Sequence, residues 1–200
     1  MRAVLGVCAG LIAFGASAPY IRDIVRYRVQ PARSTRLMLF FLVALGLLQS
    51  HSIGSTWSLF LLVGEVALSA VLLPLAIKYG LGGMAKLDII CYSLLVVDVT
   101  FWLTTDNTQM ALVLTITADI IATIPTIIKT YKFPNSETPL FHGLGTIAAL
   151  LAILAEPQFI FVTVMFPIYL FFTNGLITWL SLRKPSKHLE PVEEISLYIN

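Results

Sequence analysis

Apolar residues in this 200-residue chain gather into long unbroken runs separated by short polar turns, with no strand-like alternation between them. The runs are Ala3 to about Ile24, Leu37 to about Gln49, Trp57 to Ile77, Leu87 to Leu103, Met110 to Ile128, Leu140 to Leu154 and Phe159 to Leu182. Crossing ~30 Å of hydrocarbon takes a helix of ~20 residues, so each run predicts one membrane span, the second and sixth being short. Ala16-Ser17-Ala18 imitates the small-residue cleavage site of a secretory leader. A later stretch of the chain resembles this one, as described below. A removable leader has no reason to be repeated, so the first span is expected in the mature fold.

The turns differ in charge in a regular way. Those after the first, third and fifth runs, and the tail beyond Leu182, carry almost all the Lys and Arg. The turns after the second, fourth and sixth carry none and hold Asp106 and Glu156. The positive-inside rule then places the N-terminus outside and the C-terminus in the cytoplasm.

Composition agrees. Hydrophobic residues make up 58% and charged residues 12%, with a mean hydropathy of +0.87, whereas a soluble domain has about 25% charged residues. The chain reads as a multispanning, all-α membrane protein whose first partner is the lipid bilayer. A net charge of +2 without a basic tract sets nucleic acid aside. Cys8 and Cys91 lie in apolar runs and read as small packing residues.

The stretch Ala118 to Phe141 has a counterpart at Ala18 to Leu37. Superposing Pro19 on Pro125 puts Arg26 on Lys132, and Pro31 and Pro134 each precede a Ser by two or three residues. A chain with such a repeat is expected to be built from two like units. With the same orientation for both, the layout is three spans, one crossing span, and three spans. The expected units are 1–78 for the first triplet, 79–108 for the linker helix with its loops, 109–183 for the second triplet and 184–200 for a cytoplasmic tail.

With these residues in view, the chain resembles the SWEET and PQ-loop superfamily, and uncharacterised bacterial and archaeal membrane proteins whose second repeat similarly reads P-T-x-x-K-x-Y-x-x-P-x-S-E, here Pro125 to Glu137. The resemblance implies two parallel three-helix repeats joined by an inversion-linker helix. It also implies residence in a prokaryotic cytoplasmic membrane and transport of a small solute. The PQ dipeptide itself is missing: Gln30-Pro31 has the reverse order and Phe133-Pro134 replaces it in the second copy. Sugar carriers of this type place an Asn on the last helix of each triplet. Asn174 matches on the seventh span, but Ser69 stands at its counterpart, and the sixth span has no Trp to stack on a sugar.

Acid inside the spans is the chain's own feature. Glu65, Asp98 and Asp119 lie within predicted spans with no Lys, Arg or His at comparable depth. A charge there costs ~2.5 to 3.5 kcal/mol on insertion scales, so each should face the bundle interior. Glu65 and Asp119 are expected ~15 Å from the outer surface, and Thr115, Asp119 and Thr123, spaced by four, form one polar helix face. Such an acid either takes a proton or a cationic solute, or it is a protonated acid tying two helices together. Pro19 and Pro125 are candidate hinges or static kinks. Arg22, Asp23, Lys129 and Glu137 are candidate inner-gate partners, the basic groups doubling as topology signals. Tyr20, Tyr92, Trp102 and Tyr131 read as interfacial anchors.

Nothing points to an enzyme. His51, His142 and His188 are dispersed, no metal-ligand spacing or nucleophile motif appears, and no cofactor is expected. No Lys stands on the seventh span where a retinal would attach. The expectation is a transporter of a small polar or cationic solute working by alternating access, with a proton as coupling ion. The alternative is a receptor or accessory protein on the same fold using Glu190 to Asn200 as its contact. A homo-oligomer is compatible with either.

Overall fold

A computed structural model describes residues 1–80, 82 and 86–183. Part of the glycine-rich link and the tail with His188 and Glu190 to Asn200 lie outside the described residues.

All regular structure among the described residues is helical: α1 (Arg2–Gly15), α2 (Ser17–Val25), α3 (Arg33–Ile53), α4 (Leu59–Tyr79), α5 (Lys86–Thr104), α6 (Thr108–Lys132), a 3-10 turn at Pro134–Ser136, α7 (Pro139–Ala155) and α8 (Phe161–Ser181). Since α1 and α2 form one bent rod of 24 residues, seven rods stand where seven runs are expected. Five of them, Arg2–Val25, α3, α4, α6 and α8, are long and apolar enough to cross a membrane, and α7 is an apolar helix of 17 residues. Large apolar side chains face outward on them, among them Leu11, Phe14, Val63, Phe172 and Trp179. Such a surface is stable only against lipid, and the chain is an integral membrane protein.

Two boundaries depart from expectation for physical reasons. The second span is not short: α3 begins at Arg33 and continues through Ser50, His51 and Ser52 to Ile53, where Gly54 in the left-handed region (φ 96°) closes it. Ser50 looks like the start of a loop in sequence, but it is buried, as is Gln49 at the expected end of the span, which has partners on other helices. The first span is not continuous either. Pro19 has no N–H to give to the carbonyl of Gly15, and the helix breaks between Gly15 and Ser17. Pro125 has no such effect: α6 runs unbroken through it, as α4 does through Pro74 and α8 through Pro167. The two hinge candidates are therefore unlike in outcome.

The rods pack in a closed circuit. α1 lies against α4 and α7, α4 against α3, α3 against α6, α6 against α8, and α8 against α7; α5 is held by α6 and α3. Hydrophobic transfer drives little of this in lipid, so close backbone approach and interhelical hydrogen bonds must do so. Small residues make the approach possible. Gly6 and Gly10, spaced by four on α1, meet the α4 end of the chain directly. A Cβ on Gly6 would stand 2.5 Å from the carbonyl oxygen of Trp57, one on Gly10 would strike that of Phe60, and one on Gly64 would strike that of Gly10. Beside them on the same face of α1, buried Ala9 and Ala13 share a core with Ala148, Ala149 and Ala152 of α7.

The substitution Gly64→Leu should therefore lower the thermal stability of the purified protein, by at least the ~1 to 3 kcal/mol typical of overpacking. Gly15→Ala, where an added Cβ meets nothing within 4 Å, should leave it unchanged. Equal melting midpoints for the two variants in detergent would contradict this packing.

Candidate functional site

Asp119 is the twelfth residue of the 25 in α6 and faces inward, three or four positions from buried Thr115, Ile116 and Ala122. It is 3% exposed, and its Oδ1 is buried without a hydrogen-bond partner. An unsatisfied carboxylate oxygen is costly in such a place, and Asp119 Oδ1 shares this condition with Glu137 Oε2 and His142 Nε2. The hydroxyl of Tyr169 on α8 is the side-chain hydrogen-bonding group it faces, and that hydroxyl also faces Thr123 and Thr173.

Glu65 on α4 looks onto the same region, within electrostatic reach of Asp119 and of Arg36. It stands among buried Leu61, Leu62 and Leu68, in the middle of the face α4 turns inward, yet it is only half-buried. Glu65 thus points from α4 towards the interior of the circuit. Ser69 lies one turn further along that face. The depths differ from the expected ~15 Å for both. With α4 starting at Leu59, Glu65 lies about 9 Å from the start of its helix, while Asp119 lies about 17 Å from the start of α6.

Thr115 and Thr123 do not act with Asp119 as one polar face. The Thr123 hydroxyl donates to the Asp119 backbone carbonyl at 2.8 Å. Thr115 belongs to a second cluster, one turn nearer the start of α6, with Asp98 of α5 and Gln49 of α3. Gln49 Nε2 donates to Asp98 Oδ1 at 3.1 Å, Thr115 Oγ1 lies 2.7 Å from Gln49 Oε1, and Thr115 Oγ1 also meets Asp98 Oδ2. All three residues are fully buried.

A third network lies at the end of the bundle expected to face inward, where α6 ends and α7 begins. Lys129 Nζ pairs with Glu137 Oε1 at 2.5 Å, Glu137 Oε2 lies 3.6 Å from His142 Nε2, and His142 Nδ1 lies 2.9 Å from Asn174 Oδ1. Asn174 spends its amide N–H on the Leu170 carbonyl at 3.1 Å, so this side chain serves the inner network and its polar groups are already engaged. Burial by itself pushes the Glu137 carboxyl up. The Lys129 ammonium and the His142 ring outweigh that and hold it down at about 2. Beside this, Asp23 accepts from Thr138 Oγ1 at 2.9 Å, and from Arg22 Nε at 3.1 Å. The first of these bonds joins α2 to the start of α7. Arg36 donates to the hydroxyl of Tyr20, whose ring stacks on Phe141 at 4.4 Å. Tyr20 is thus fully buried, and the interfacial role expected for it does not hold.

The opposite end, where α7 ends and α4 begins, has its own tie. Glu156, buried at the end of α7, accepts from the Thr56 backbone N–H at 2.8 Å, from Thr56 Oγ1 at 2.9 Å and from the Ser58 hydroxyl at the start of α4. A carboxylate at a helix N-terminus is favoured by the unsatisfied N–H groups there.

Sequence reading missed Gln49, His142, Tyr169, Glu156 and the inward reach of Arg36. Gln49 and His142 were each visible as a polar residue in or at the edge of an apolar run. Nothing along the chain marks Tyr169 as the neighbour of Asp119. Among the described residues no group of His, Cys, Asp and Glu is arranged to hold a metal ion. Comparison with protein-family models, with curated proteins and with solved structures gives no match.

Lys129→Met should destabilise the fold by roughly 3 to 5 kcal/mol at neutral pH, because it leaves the Glu137 charge buried with its main partner removed. The pH dependence has a definite sign. Glu137 is depressed in the folded state, so the wild type should keep the full contribution of this pair above the usual glutamate range and lose it as pH falls towards about 2. Thermal melts of wild type and variant across that range measure both effects; curves that stay parallel down to the acid limit would refute the pairing.

Proposed function

We propose that the chain is a membrane transporter of a small polar or cationic solute, working by alternating access and coupled to protons through Asp119 and Glu65. The observation that carries this reading is the unpartnered Asp119 oxygen facing a region onto which a second, half-buried carboxylate also opens. Two acids on different rods, with hydroxyls from Tyr169, Thr123, Thr173 and Ser69 nearby, offer acceptors to a proton or an ammonium group and hydrogen bonds to a neutral polar one. No bond-making chemistry is proposed.

The SWEET and PQ-loop likeness enters here as part of the same proposal. It is supported by the order of packing. The third rod of each group, α4 and α8, touches both of the others in its group, and the groups meet through α1 with α7 and α3 with α6. The first rod of each group thus meets the second of the other, as two parallel triplets about a pseudo-two-fold axis would have it, with α5 as linker. In this reading the basic turns face the cytoplasm of a prokaryotic cell, the N-terminus lies outside, and the break before Pro19 lets the inner part of the first span tilt.

A receptor or accessory protein is the second reading, favoured by the ties at both ends, Glu156 to Thr56 and Ser58, and Asp23 to Thr138, which suit a fixed scaffold. Reconstituted liposomes distinguish the two. With a trapped pH-sensitive dye, an imposed pH gradient and a panel of small amines and neutral sugars outside, the wild type should show solute-dependent proton flux. Asp119→Asn should reduce it at least about ten-fold, a transition-state loss of ~1.4 kcal/mol or more. Solute binding without flux in the wild type, left intact by Asp119→Asn, would favour the receptor.

A further inference from the structure

The transport reading makes no use of the Gln49, Asp98 and Thr115 cluster, where a count of hydrogens leads to a separate conclusion. Three contacts join the three side chains in a closed loop: Gln49 to Asp98, Asp98 to Thr115, and Thr115 to Gln49. Each contact between electronegative atoms needs one hydrogen. The Gln49 amide presents its N–H₂ end to one neighbour and its carbonyl to the other, so it supplies one. The Thr115 hydroxyl supplies one more, and an ionised Asp98 supplies none. The loop is one hydrogen short. Turning the amide over does not help, since the deficit then moves to the pair of Gln49 Oε1 and Asp98 Oδ1. All three side chains are fully buried, so two facing lone pairs there would be strongly unfavourable.

We propose that this cluster is a proton-binding site. Asp98 takes a proton from water, forming an O–H bond on Oδ2 that donates to Thr115 Oγ1. Thr115 in turn donates to Gln49 Oε1, and Gln49 Nε2 donates to Asp98 Oδ1. Release returns the proton to water and leaves the loop unable to close. The bound proton thus fastens α5 to α3 and α6, whatever the chain transports.

No charged group substitutes for it. Among the described residues Asp98 meets the Gln49 and Thr115 side chains. On α5 itself, Asp88 and Tyr92 engage the start of α3, and Cys91 the Ala118 carbonyl. On α3, Arg33 and Arg36 sit at the opposite end and His51 is exposed. On α6, Asp119 faces Tyr169, and Lys129 and Lys132 lie in the last turn.

The test uses the full-length protein in lipid nanodiscs. Asn at position 98 offers the same donor and acceptor as the protonated acid and cannot lose its proton. A folded state that holds one more proton than the unfolded chain loses stability as pH rises. The melting midpoint of the wild type should therefore fall relative to that of Asp98→Asn from mildly acidic to mildly alkaline pH. Parallel curves would overturn the proposal. So would stabilisation of the wild type, and not of the variant, by sodium or potassium, since an alkali ion would then be closing the loop. Infrared spectra give an independent reading. The wild type should show the carbonyl stretch of a protonated carboxylic acid, lost in Asp98→Asn or, should that variant not fold, displaced in Thr115→Val. A wild-type spectrum in which neither change occurs would also overturn it.

Discussion

Hydrocarbon offers no hydrogen bonds, so every polar group carried into it needs a partner on another helix, and this requirement organises the molecule. Glu156 finds the hydroxyls and N–H at the start of α4, Asp98 finds Gln49 and Thr115, and Glu137 finds Lys129. These ties lie at different levels of the bundle; those of Glu156 and of Asp98 join segments distant in sequence, while that of Glu137 closes the turn between α6 and α7. Such bonds are individually modest in membranes, but their geometry is specific, and it determines which helices are neighbours.

Against that background the region around Asp119 and Glu65 stands apart. Glu156 and Asp98 are met at both carboxylate oxygens and Glu137 at Oε1 by Lys129, while here Asp119 Oδ1 has no partner and Glu65 keeps some accessible surface. A site for a passing ligand needs this incompleteness. Groups that satisfied each other fully would have nothing to offer a solute.

The helices were legible because apolar length is a strong signal, and the inward direction of Glu65 and Asp119 because lipid forbids the outward one. The polar partners were less so. Thr115 sits four residues before Asp119 on the same face, and only the position of α5 decides that its hydroxyl serves Asp98 instead. Asn174 likewise matched a family pattern, yet His142 on the neighbouring α7 claims its carbonyl. The second span ends at Gln49 in the sequence, with Ser50 read as loop, because polarity is visible in the chain and burial is not. The likeness of Pro19 and Pro125 in sequence also did not carry through, since α6 is continuous through Pro125 where the first span breaks before Pro19.

The contact of α1 with α4 constrains how the protein is able to move. Where glycine lets one helix rest on the carbonyls of another, a slide of even one residue would drive a side chain into backbone. Those two rods consequently travel together as a single body. Relative motion is left to the seams elsewhere in the circuit, and the seam between α3 and α6 carries α5 across it like a strap.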